Sequence, residues 1–124
     1  MKLLPCYLAI LGLFTVSVNA GIPRRPRPYI FEATAFSTYG VTRAGTAPRT
    51  GIVAADMGVL PLGSRIRVTE AGSYSGIYIV ADTGAKVQGR HIDIYIPDTA
   101  AAKQFGKKTV RVGVLRWGGP KPAA

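Results

Sequence analysis

The stretch His91-Ile92-Asp93-Ile94-Tyr95-Ile96 decides the fold of this chain and holds its least expected residue. Its three isoleucines alternate with His91, Asp93 and Tyr95, and a period of two turns one face of a β-strand towards a core. Aspartate is disfavoured inside strands because of its shape and polarity. Asp93 therefore either belongs to a solvated strand face or is held there for chemistry.

Outward from this strand, five more short apolar runs punctuated by glycine have strand character. The six predicted strands run from Tyr29 to Phe36, Ile52 to Ala55, Arg65 to Thr69, Gly76 to Ala81, His91 to Ile96 and Thr109 to Leu115. Six strands within residues 29–117 predict a mainly all-β domain, folded as a small closed barrel, because closure leaves no sheet edge exposed.

One short helix is expected between the last two strands. Asp98 can cap the backbone N–H groups of the alanine-rich segment from Thr99 to Phe105, and Gly106 can adopt the left-handed conformation that ends a helix. The alanine content allows this helix to pack closely against a sheet.

The two ends of the chain differ from this domain. Residues 1–20 combine Lys2, a mainly apolar stretch and the small-residue exit Asn19-Ala20, which is typical of a cleaved signal peptide; an uncleaved N-terminal anchor is the alternative. The prolines of residues 21–28 favour an extended spacer. We expect the barrel domain at residues 29–117 and a flexible, glycine- and proline-rich tail at residues 118–124.

Cysteine content and charge narrow the location and the partners. Cleavage after Ala20 removes Cys6, the only cysteine, and so excludes disulfides, thiol nucleophiles and thiolate metal sites from the mature chain. The net charge of +10 attracts polyanions. For a secreted or periplasmic protein this favours peptidoglycan or another anionic wall glycan over nucleic acid. We expect no stable membrane anchor, and the sequence makes no prediction of oligomeric state.

Few side chains can carry chemistry. The six carboxylates are Glu32, Asp56, Glu70, Asp82, Asp93 and Asp98. A zinc site usually needs several histidine or cysteine ligands, whereas His91 is the only histidine, and no Gly-x-Ser-x-Gly motif indicates a serine hydrolase. We therefore expect no metal and no cofactor.

The aspartates differ in position. Asp56 and Asp82 each follow an apolar run, where aspartate commonly accepts hydrogen bonds from turn amides. Each is therefore either a structural turn residue or part of a site. His91 shares the face of Asp93 and fits an orienting or hydrogen-bonding group better than a catalyst.

The order of the segments resembles the three-aspartate domain, or 3D domain, over residues 29–117. The motifs are Glu32-Ala33-Thr34-Ala35-Phe36-Ser37, Gly51-Ile52-Val53-Ala54-Ala55-Asp56, Leu60-Pro61-Leu62-Gly63-Ser64, Ala81-Asp82-Thr83-Gly84 with Gly89, His91-Ile92-Asp93-Ile94-Tyr95 and Phe105-Gly106-Lys107-Lys108. The resemblance implies a six-stranded double-psi β-barrel with one short helix, similar to the barrel domain of membrane-bound lytic transglycosylase A. Rare lipoprotein A, expansins and family-45 endoglucanases are more distantly similar.

The resemblance also implies a site, in which Asp93 is the general acid and Asp82 and Asp56 complete an acidic cluster along a glycan groove. We expect further substrate contacts from His91, Tyr95, Thr83, Gly84, Lys86 and Arg90. Burial and neighbouring carboxylates favour a protonated acid, whereas Lys86 and Arg90 oppose it if they turn inward.

Three functions stay open. The first is peptidoglycan cleavage of lytic transglycosylase or O-glycosyl hydrolase type. In the former, the resemblance implies that one acid protonates the glycosidic oxygen and then takes the proton of the muramoyl C6 hydroxyl. The second is a non-catalytic wall-binding or remodelling module that holds glycan through charge and Tyr39, Tyr74, Tyr95 or Trp117. The third is a non-catalytic partner or inhibitor of another wall enzyme.

Overall fold

The described part of the chain contains six strands and one α-helix. The computed structural model describes residues 27–38 and 40–122, so the predicted signal peptide, most of the spacer, Tyr39 and residues 123–124 lie outside the described residues. The elements in chain order are β1 (Tyr29–Phe36), β2 (Ile52–Ala55), β3 (Arg65–Thr69), a 3₁₀ turn (Gly72–Tyr74), β4 (Gly76–Asp82), β5 (His91–Tyr95), α1 (Thr99–Phe105) and β6 (Lys108–Arg116). Every strand begins and ends within one residue of its expected position.

The strands close into a barrel in the order β1-β5-β2-β4-β3-β6. The neighbours β1/β5 and β2/β4 run parallel, and the other four neighbouring pairs run antiparallel. Each strand is therefore paired on both sides, and no open sheet edge remains in the barrel. This arrangement confirms the mainly all-β, six-stranded barrel with one short helix that the sequence predicts.

Apolar side chains from alternate strand positions fill the barrel. Ile92 and Ile94 on β5 are 0% and 1% exposed. They belong to one cluster that also contains Ile66, Val68, Val80, Val110 and Val112. Burying an aliphatic side chain of this size contributes about 1.5–3 kcal/mol. The burial of the two isoleucines turns residues 91, 93 and 95 to the outer surface of β5.

A register shift between β2 and β4 determines which way Asp82 faces. Val53 pairs with Val80 and both belong to the core cluster. The next residue of β2, Ala54, pairs with Asp82, so Ala81 is the extra residue of a β-bulge. Without this bulge, Ala81 would occupy the outer position beside Ala54. The bulge therefore brings Asp82 to the outer surface.

Helix α1 has the ends that the sequence predicts. The Asp98 carboxylate accepts hydrogen bonds from two backbone N–H groups of the first turn, and Gly106 ends the helix with a φ of 62°. Phe105 is buried, and its ring meets the ring of Tyr74 edge-on with 5.6 Å between centroids. The helix thereby adds an apolar side to the core. In the part of the chain that the structure describes, no helix has the length and hydropathy needed to cross a membrane.

Packing continues just beyond β6. Trp117 packs against the core, and the N–H of Gly118 donates to Ser64 Oγ at 3.0 Å. A side chain on Gly118 would collide with the backbone of Leu62, so only glycine fits there. The packed region therefore extends at least one residue past Trp117.

Candidate functional site

The candidate site is a strip across the outer surface of four neighbouring strands. Thr34 on β1 pairs with Asp93 on β5, Asp93 pairs with Ala54 on β2, and Ala54 pairs with Asp82 on β4. Neighbouring strands lie about 4.8 Å apart, so the backbones of Asp93 and Asp82 are about 10 Å apart, with only the small Ala54 between them. The barrel thus brings two of the three predicted catalytic aspartates into one row.

Asp93 is held by a chain of hydrogen bonds. Thr34 Oγ1 donates to Asp93 Oδ1 at 3.1 Å and lies 2.8 Å from His91 Nε2. Because a hydroxyl has a single proton, His91 Nε2 is the donor to Thr34 whenever Thr34 donates to Asp93. His91 is therefore linked to Asp93 through Thr34, which is the contact that an orienting role requires.

The surroundings of Asp93 favour its protonated form. Asp93 is half-buried, and this burial raises the pKa of its carboxyl group above the ordinary value; the Thr34 hydrogen bond and charge on His91 act in the opposite direction but do not cancel it. The neighbouring carboxylates expected from the sequence are not a cause of the rise. Lys86 and Arg90 are both exposed, and the Arg90 guanidinium lies over the Tyr29 ring at 5.1 Å. Neither of them opposes the rise.

Asp56 is in the opposite situation. Its Oδ2 accepts a hydrogen bond from Gly89 N at 2.8 Å, and its Oδ1 accepts one from Gly58 N at 2.9 Å. These two amides, Gly89 first, hold the pKa of the Asp56 carboxyl below its ordinary value. Asp56 therefore ties the turn after β2 to the loop before β5, as the structural interpretation of this residue predicts.

Asp82 combines a place in the row with contacts to a turn. Its Oδ1 accepts hydrogen bonds from the backbone N–H groups of Arg43 and Thr83, both at 2.9 Å. Asp82 and Thr83 also line an open cleft of about 530 Å³, together with Val41, Thr42, Arg43 and Met57. Asp82 is thus both a turn anchor and the end of the strip that opens into this cleft.

The other predicted contact residues lie around the strip at different distances from it. Tyr95 is on the outer face of β5, two residues from Asp93, and its ring packs against Phe36 with 5.5 Å between centroids. Gly84 is exposed in the loop that follows Asp82, as are Lys86 and Arg90 further along it. Only Tyr95 among these lies beside Asp93 in the sheet.

The remaining aromatic residues suggested for glycan binding are elsewhere. Tyr74 packs against Phe105 near the helix. Trp117 lines a separate cavity of about 290 Å³, together with Tyr29 and Arg90 among others. Tyr39 lies outside the described residues. Among the described residues, Tyr95, packed against Phe36, is therefore the suggested aromatic side chain next to Asp93.

The sequence reasoning missed Thr34 as a site residue. The signal was partly present, because Thr34 falls on the polar side of the alternating segment Phe31 to Ala35. What links it to Asp93 is the parallel pairing of β1 with β5, two strands that are more than fifty residues apart in the chain.

Among residues 27–38 and 40–122, no three histidine, aspartate, glutamate or cysteine side chains are grouped as metal ligands.

Comparison with known proteins assigns this barrel to a family. The sequence model of the 3D domain matches residues 51–116, more than half of the chain, and this range contains Asp56, Asp82 and Asp93. The chain belongs to the 3D domain family. Thr34, on β1, lies before the matched range.

Two relatives from Bacillus subtilis (strain 168) share sequence with this 3D domain protein. One is named putative cell wall shaping protein YabE and is 38% identical over 68 residues, which are 55% of this chain and 16% of YabE. The other is named cell wall-binding protein YocH and is 38% identical over 80 residues, which are 61% of this chain and 26% of YocH. The chain thus spans about a quarter or less of these relatives.

The fold is shared with a lytic transglycosylase. A crystal structure of MltA from Escherichia coli, described as a unique lytic transglycosylase fold, matches with a TM-score of 0.53 and 20% identity. The match covers 66% of this chain and 29% of MltA. A structure of E. coli MltA with bound chitohexaose matches with a TM-score of 0.50 and 16% identity, over 62% of this chain and 28% of that one. At these identities the likeness shows a common fold.

Proposed function

We propose that this protein cleaves the glycan strands of peptidoglycan at the cell wall, with Asp93 as the general acid. The observation that carries the proposal is a half-buried aspartate fixed in a strand, whose pKa is raised by burial and whose carboxylate is oriented by Thr34. A general acid must hold its proton near the working pH and at hydrogen-bond distance from the leaving oxygen. The cell-wall names of the B. subtilis relatives and the fold shared with MltA support the choice of substrate.

The reaction needs one carboxyl group. Protonated Asp93 donates its proton to the glycosidic oxygen as the bond from that oxygen to C1 breaks. The resulting Asp93 carboxylate then accepts the proton of the muramoyl C6 hydroxyl while O6 attacks C1 and closes a 1,6-anhydro ring. The proton thus returns to Asp93, and no water and no second carboxylate is consumed.

Hydrolysis is the second form of this proposal. Two carboxyl groups separated by roughly 6.5–9.5 Å are typical of inverting glycosidases, because a water molecule fits between them and the sugar. The backbones of Asp93 and Asp82 are about 10 Å apart across Ala54, which is compatible with such a separation. In this form Asp82 is the base that activates water, and the product has a reducing end instead of an anhydro ring.

In either form the glycan runs along the strip. Tyr95, two residues along β5 from Asp93, offers an aromatic contact, and the cleft lined by Asp82 and Thr83 receives the glycan across the strands. Gly84, Lys86 and Arg90 border this path from the loop between β4 and β5, where the two cations meet the carboxylates of the stem peptides. His91 acts through Thr34 as a positioning residue.

A binding module is the alternative, and the openness of the site favours it. The cleft at Asp82 is open, and the match covers only 29% of MltA. A wall protein that holds glycan without cleaving it needs the same aromatic and polar surface. YocH, a relative, is named for cell wall binding.

We also propose that the protein is exported, with residues 1–20 removed as a signal peptide and the barrel domain at residues 29–117 acting outside the cytoplasmic membrane. The support is the apolar N-terminal stretch together with the cell-wall names of the relatives. Mass spectrometry of protein recovered from the medium or periplasm should find Gly21 at the N-terminus. Retention of residues 1–20, or a lipid on Cys6, would contradict this.

The decisive experiment for the activity is product analysis on purified peptidoglycan. The wild type should release 1,6-anhydromuramoyl fragments, detected by mass spectrometry, and Asp93→Asn should reduce their release by about 10²–10⁴-fold. Asp82→Asn should reduce it less. Glu70→Gln, a carboxylate-to-amide change at the end of β3 on the other side of the barrel, is the matched control and should cleave like the wild type.

Each outcome decides between the forms of the proposal. Reducing-end products in place of anhydro products would replace transglycosylation with hydrolysis. Equal cleavage by Asp93→Asn and the wild type, with similar melting temperatures, would show that Asp93 is not the acid. If the wild type releases no fragments but sediments with the wall material, the binding module is correct.

A further inference from the structure

The side of the barrel opposite Asp93 carries a row of arginines. In the closed order of strands, β3 is three strands away from β5 in both directions, so these two strands lie on opposite walls. Ile66 and Val68 of β3 point into the core, whereas Arg65 and Arg67 are exposed on the outside. Arg116 of β6 is also exposed and pairs directly with Arg65.

These three arginines are close enough to repel one another. Directly opposite residues of an antiparallel pair have Cβ atoms about 4.5–5.5 Å apart, and like charges at such positions are destabilising. Arg67 lies two residues from Arg65 on the same face, about 7 Å along the strand. Gly113 is the partner of Arg67 and adds no side chain between the charges. The barrel fold therefore gains nothing from this arrangement.

The carboxylate side chains of the chain are all engaged elsewhere. All six lie within the described residues. Glu32 pairs with Lys107 and Glu70 pairs with Arg111. Asp98 caps the helix, and the other three aspartates are hydrogen-bonded in the strip and its turns, as described above. No carboxylate side chain is left to neutralise Arg65, Arg67 or Arg116.

The composition of this face indicates the chemistry of a ligand. Its outward cations on β3 and β6 are all arginines apart from Lys108 at the start of β6, and the planar guanidinium binds phosphate and carboxylate oxygens in pairs. The next strand places Ile79 opposite Arg65 and Ile77 opposite Arg67, and these isoleucines are 39% and 43% exposed. A row of charged side chains thus lies beside a row of apolar ones.

We propose that Arg65, Arg67 and Arg116, flanked by Ile77 and Ile79, bind a linear polyol-phosphate polymer of the cell wall. Such a polymer repeats one phosphodiester charge and one short carbon segment per unit, which matches a row of guanidinium groups beside aliphatic side chains. Peptidoglycan carboxylates instead hang on separate flexible stem peptides. The proposal rests on the wall location in the proposed function, but not on catalysis by Asp93.

Two surfaces on opposite walls have a functional consequence. A polymer bound at β3 and β6 leaves the strip around Asp93 free, so that one molecule can engage both wall polymers at once. Binding to the first raises the effective concentration of the barrel near the second. Three of the positive charges then act at a specific surface, in addition to the long-range attraction of the net charge, which salt screens over about 10 Å at 0.1 M.

The test is titration with synthetic polyglycerol phosphate over a series of salt concentrations. Arg65→Gln, Arg67→Gln and Arg116→Gln combined should weaken binding at least 10-fold. If each arginine–phosphate contact releases counterions as on single-stranded nucleic acids, the plot of log binding constant against log salt concentration should become shallower by roughly 2. The control combines Arg27→Gln, Lys103→Gln and Lys121→Gln, three exposed cations elsewhere, and loses the same net charge. It should retain affinity within about 3-fold and keep the slope.

Several results would overturn the proposal. One is equal weakening in both triple variants, which would reduce the effect to net charge. Another is tighter binding to single-stranded DNA of matched phosphate number than to polyglycerol phosphate. If the glutamine variant does not fold, Arg65→Lys, Arg67→Lys and Arg116→Lys are combined instead. This variant keeps the charges but loses the paired donors, so it should bind polyglycerol phosphate more weakly than the wild type. Unchanged affinity would overturn the proposal.

The two proposals can fail separately. Asp93→Asn should bind polyglycerol phosphate like the wild type, because Asp93 is on the opposite wall. The glutamine triple variant should sediment normally with peptidoglycan from which phosphate polymers have been stripped. Loss of that sedimentation in the triple variant would assign the arginine face to glycan and would contradict the polymer proposal while leaving the role of Asp93 intact.

Discussion

Asp93 and Asp56 are the same residue type in one small barrel, but their surroundings shift the pKa of the carboxyl group in opposite directions. Asp93 lies inside a strand, where the backbone N–H groups are hydrogen-bonded to neighbouring strands. Its burial raises the pKa of the carboxyl group. Asp56 follows the end of a strand, where free N–H groups of Gly89 and Gly58 bind both carboxylate oxygens and lower the pKa. At a strand end, backbone N–H groups stabilise the charged form of a carboxylate. Within a strand these groups are not available to it, so burial can keep the acid protonated.

Asp82 tests this contrast because it belongs to both regions. It is the last residue of β4 and faces the outer surface through the bulge, yet its Oδ1 accepts two backbone N–H groups as a turn residue does. Its position in the row supports a site role, and its hydrogen bonds support a structural one. Variants that disturb one region without the other can separate these contributions.

Removing the Thr34 hydroxyl should have the largest effect among the variants that keep all three aspartates. Thr34→Val keeps the side-chain shape but deletes the hydrogen bond to Asp93. A hydrogen bond to a charged group is worth about 1.5–3 kcal/mol, so cleavage should fall roughly 10-fold or more. Because that bond lowers the pKa of Asp93, the variant should also stay protonated to higher pH. Rates on soluble glycan fragments across pH measure both changes.

The pH profile separates positioning from folding. In Thr34→Val, the alkaline limb of the profile, where Asp93 loses its proton, should move to higher pH. Thr69→Val, at an exposed position on β3, is the matched control and should leave rate and profile unchanged. A lower rate with an unshifted profile would mean that Thr34 supports only the fold.

Asp56→Ala should act through stability. Loss of its two backbone hydrogen bonds should lower the free energy of unfolding by about 1–2 kcal/mol, with roughly 4–8 °C in Tm for each kcal/mol in a domain of this size. Since the pKa of Asp56 is depressed in the folded state, its contribution is present above the unfolded pKa and disappears as pH falls through the folded value. In thermal melts at decreasing pH, the Tm difference between Asp56→Ala and the wild type should therefore become smaller.

Asp98→Ala provides the comparison for Asp56→Ala. Asp98 also accepts hydrogen bonds from two backbone N–H groups, at the start of α1. Its replacement should lower the free energy of unfolding by a similar amount. Both variants should retain cleavage per folded molecule. If Asp56→Ala loses cleavage at a temperature where both are folded, Asp56 belongs to the catalytic site after all.

The fold was largely predictable because it depends on local patterns. A period of two in the strands, the cap at Asp98 and the stop at Gly106 are each set by residues close in sequence, and the structure confirms them. Asp93 was also visible, because an aspartate between isoleucines conflicts with strand propensity. The turn interpretation of Asp56 follows equally from its place at a strand end.

The contacts within the site could not be predicted, because they depend on pairing between distant strands. Thr34 meets Asp93 only through the parallel β1/β5 pair, and Asp82 faces outward only because Ala81 is accommodated as a bulge. A register shift of one residue would reverse which side chains share a face. For the same reason the sequence does not show that Tyr74 packs against Phe105 near the helix and that Trp117 lines a cavity away from the strip.

The smallest expected effect concerns stability at Asp93 itself. The folded pKa of Asp93 is raised, so below the unfolded pKa both states are protonated and the residue has no pH-dependent effect. As pH rises from the unfolded towards the folded pKa, the unfolded chain releases this proton while folded Asp93 retains it, so stability is lost. Asp93→Asn has no such proton and keeps an acceptor for Thr34, so its Tm should exceed that of the wild type at pH 7 and equal it near pH 3. Asp82→Asn, which weakens two amide contacts, should melt lower than the wild type at pH 7. A lower Tm for Asp93→Asn at pH 7 would mean that the charged carboxylate stabilises the barrel, and the contrast with Asp56 would then be wrong.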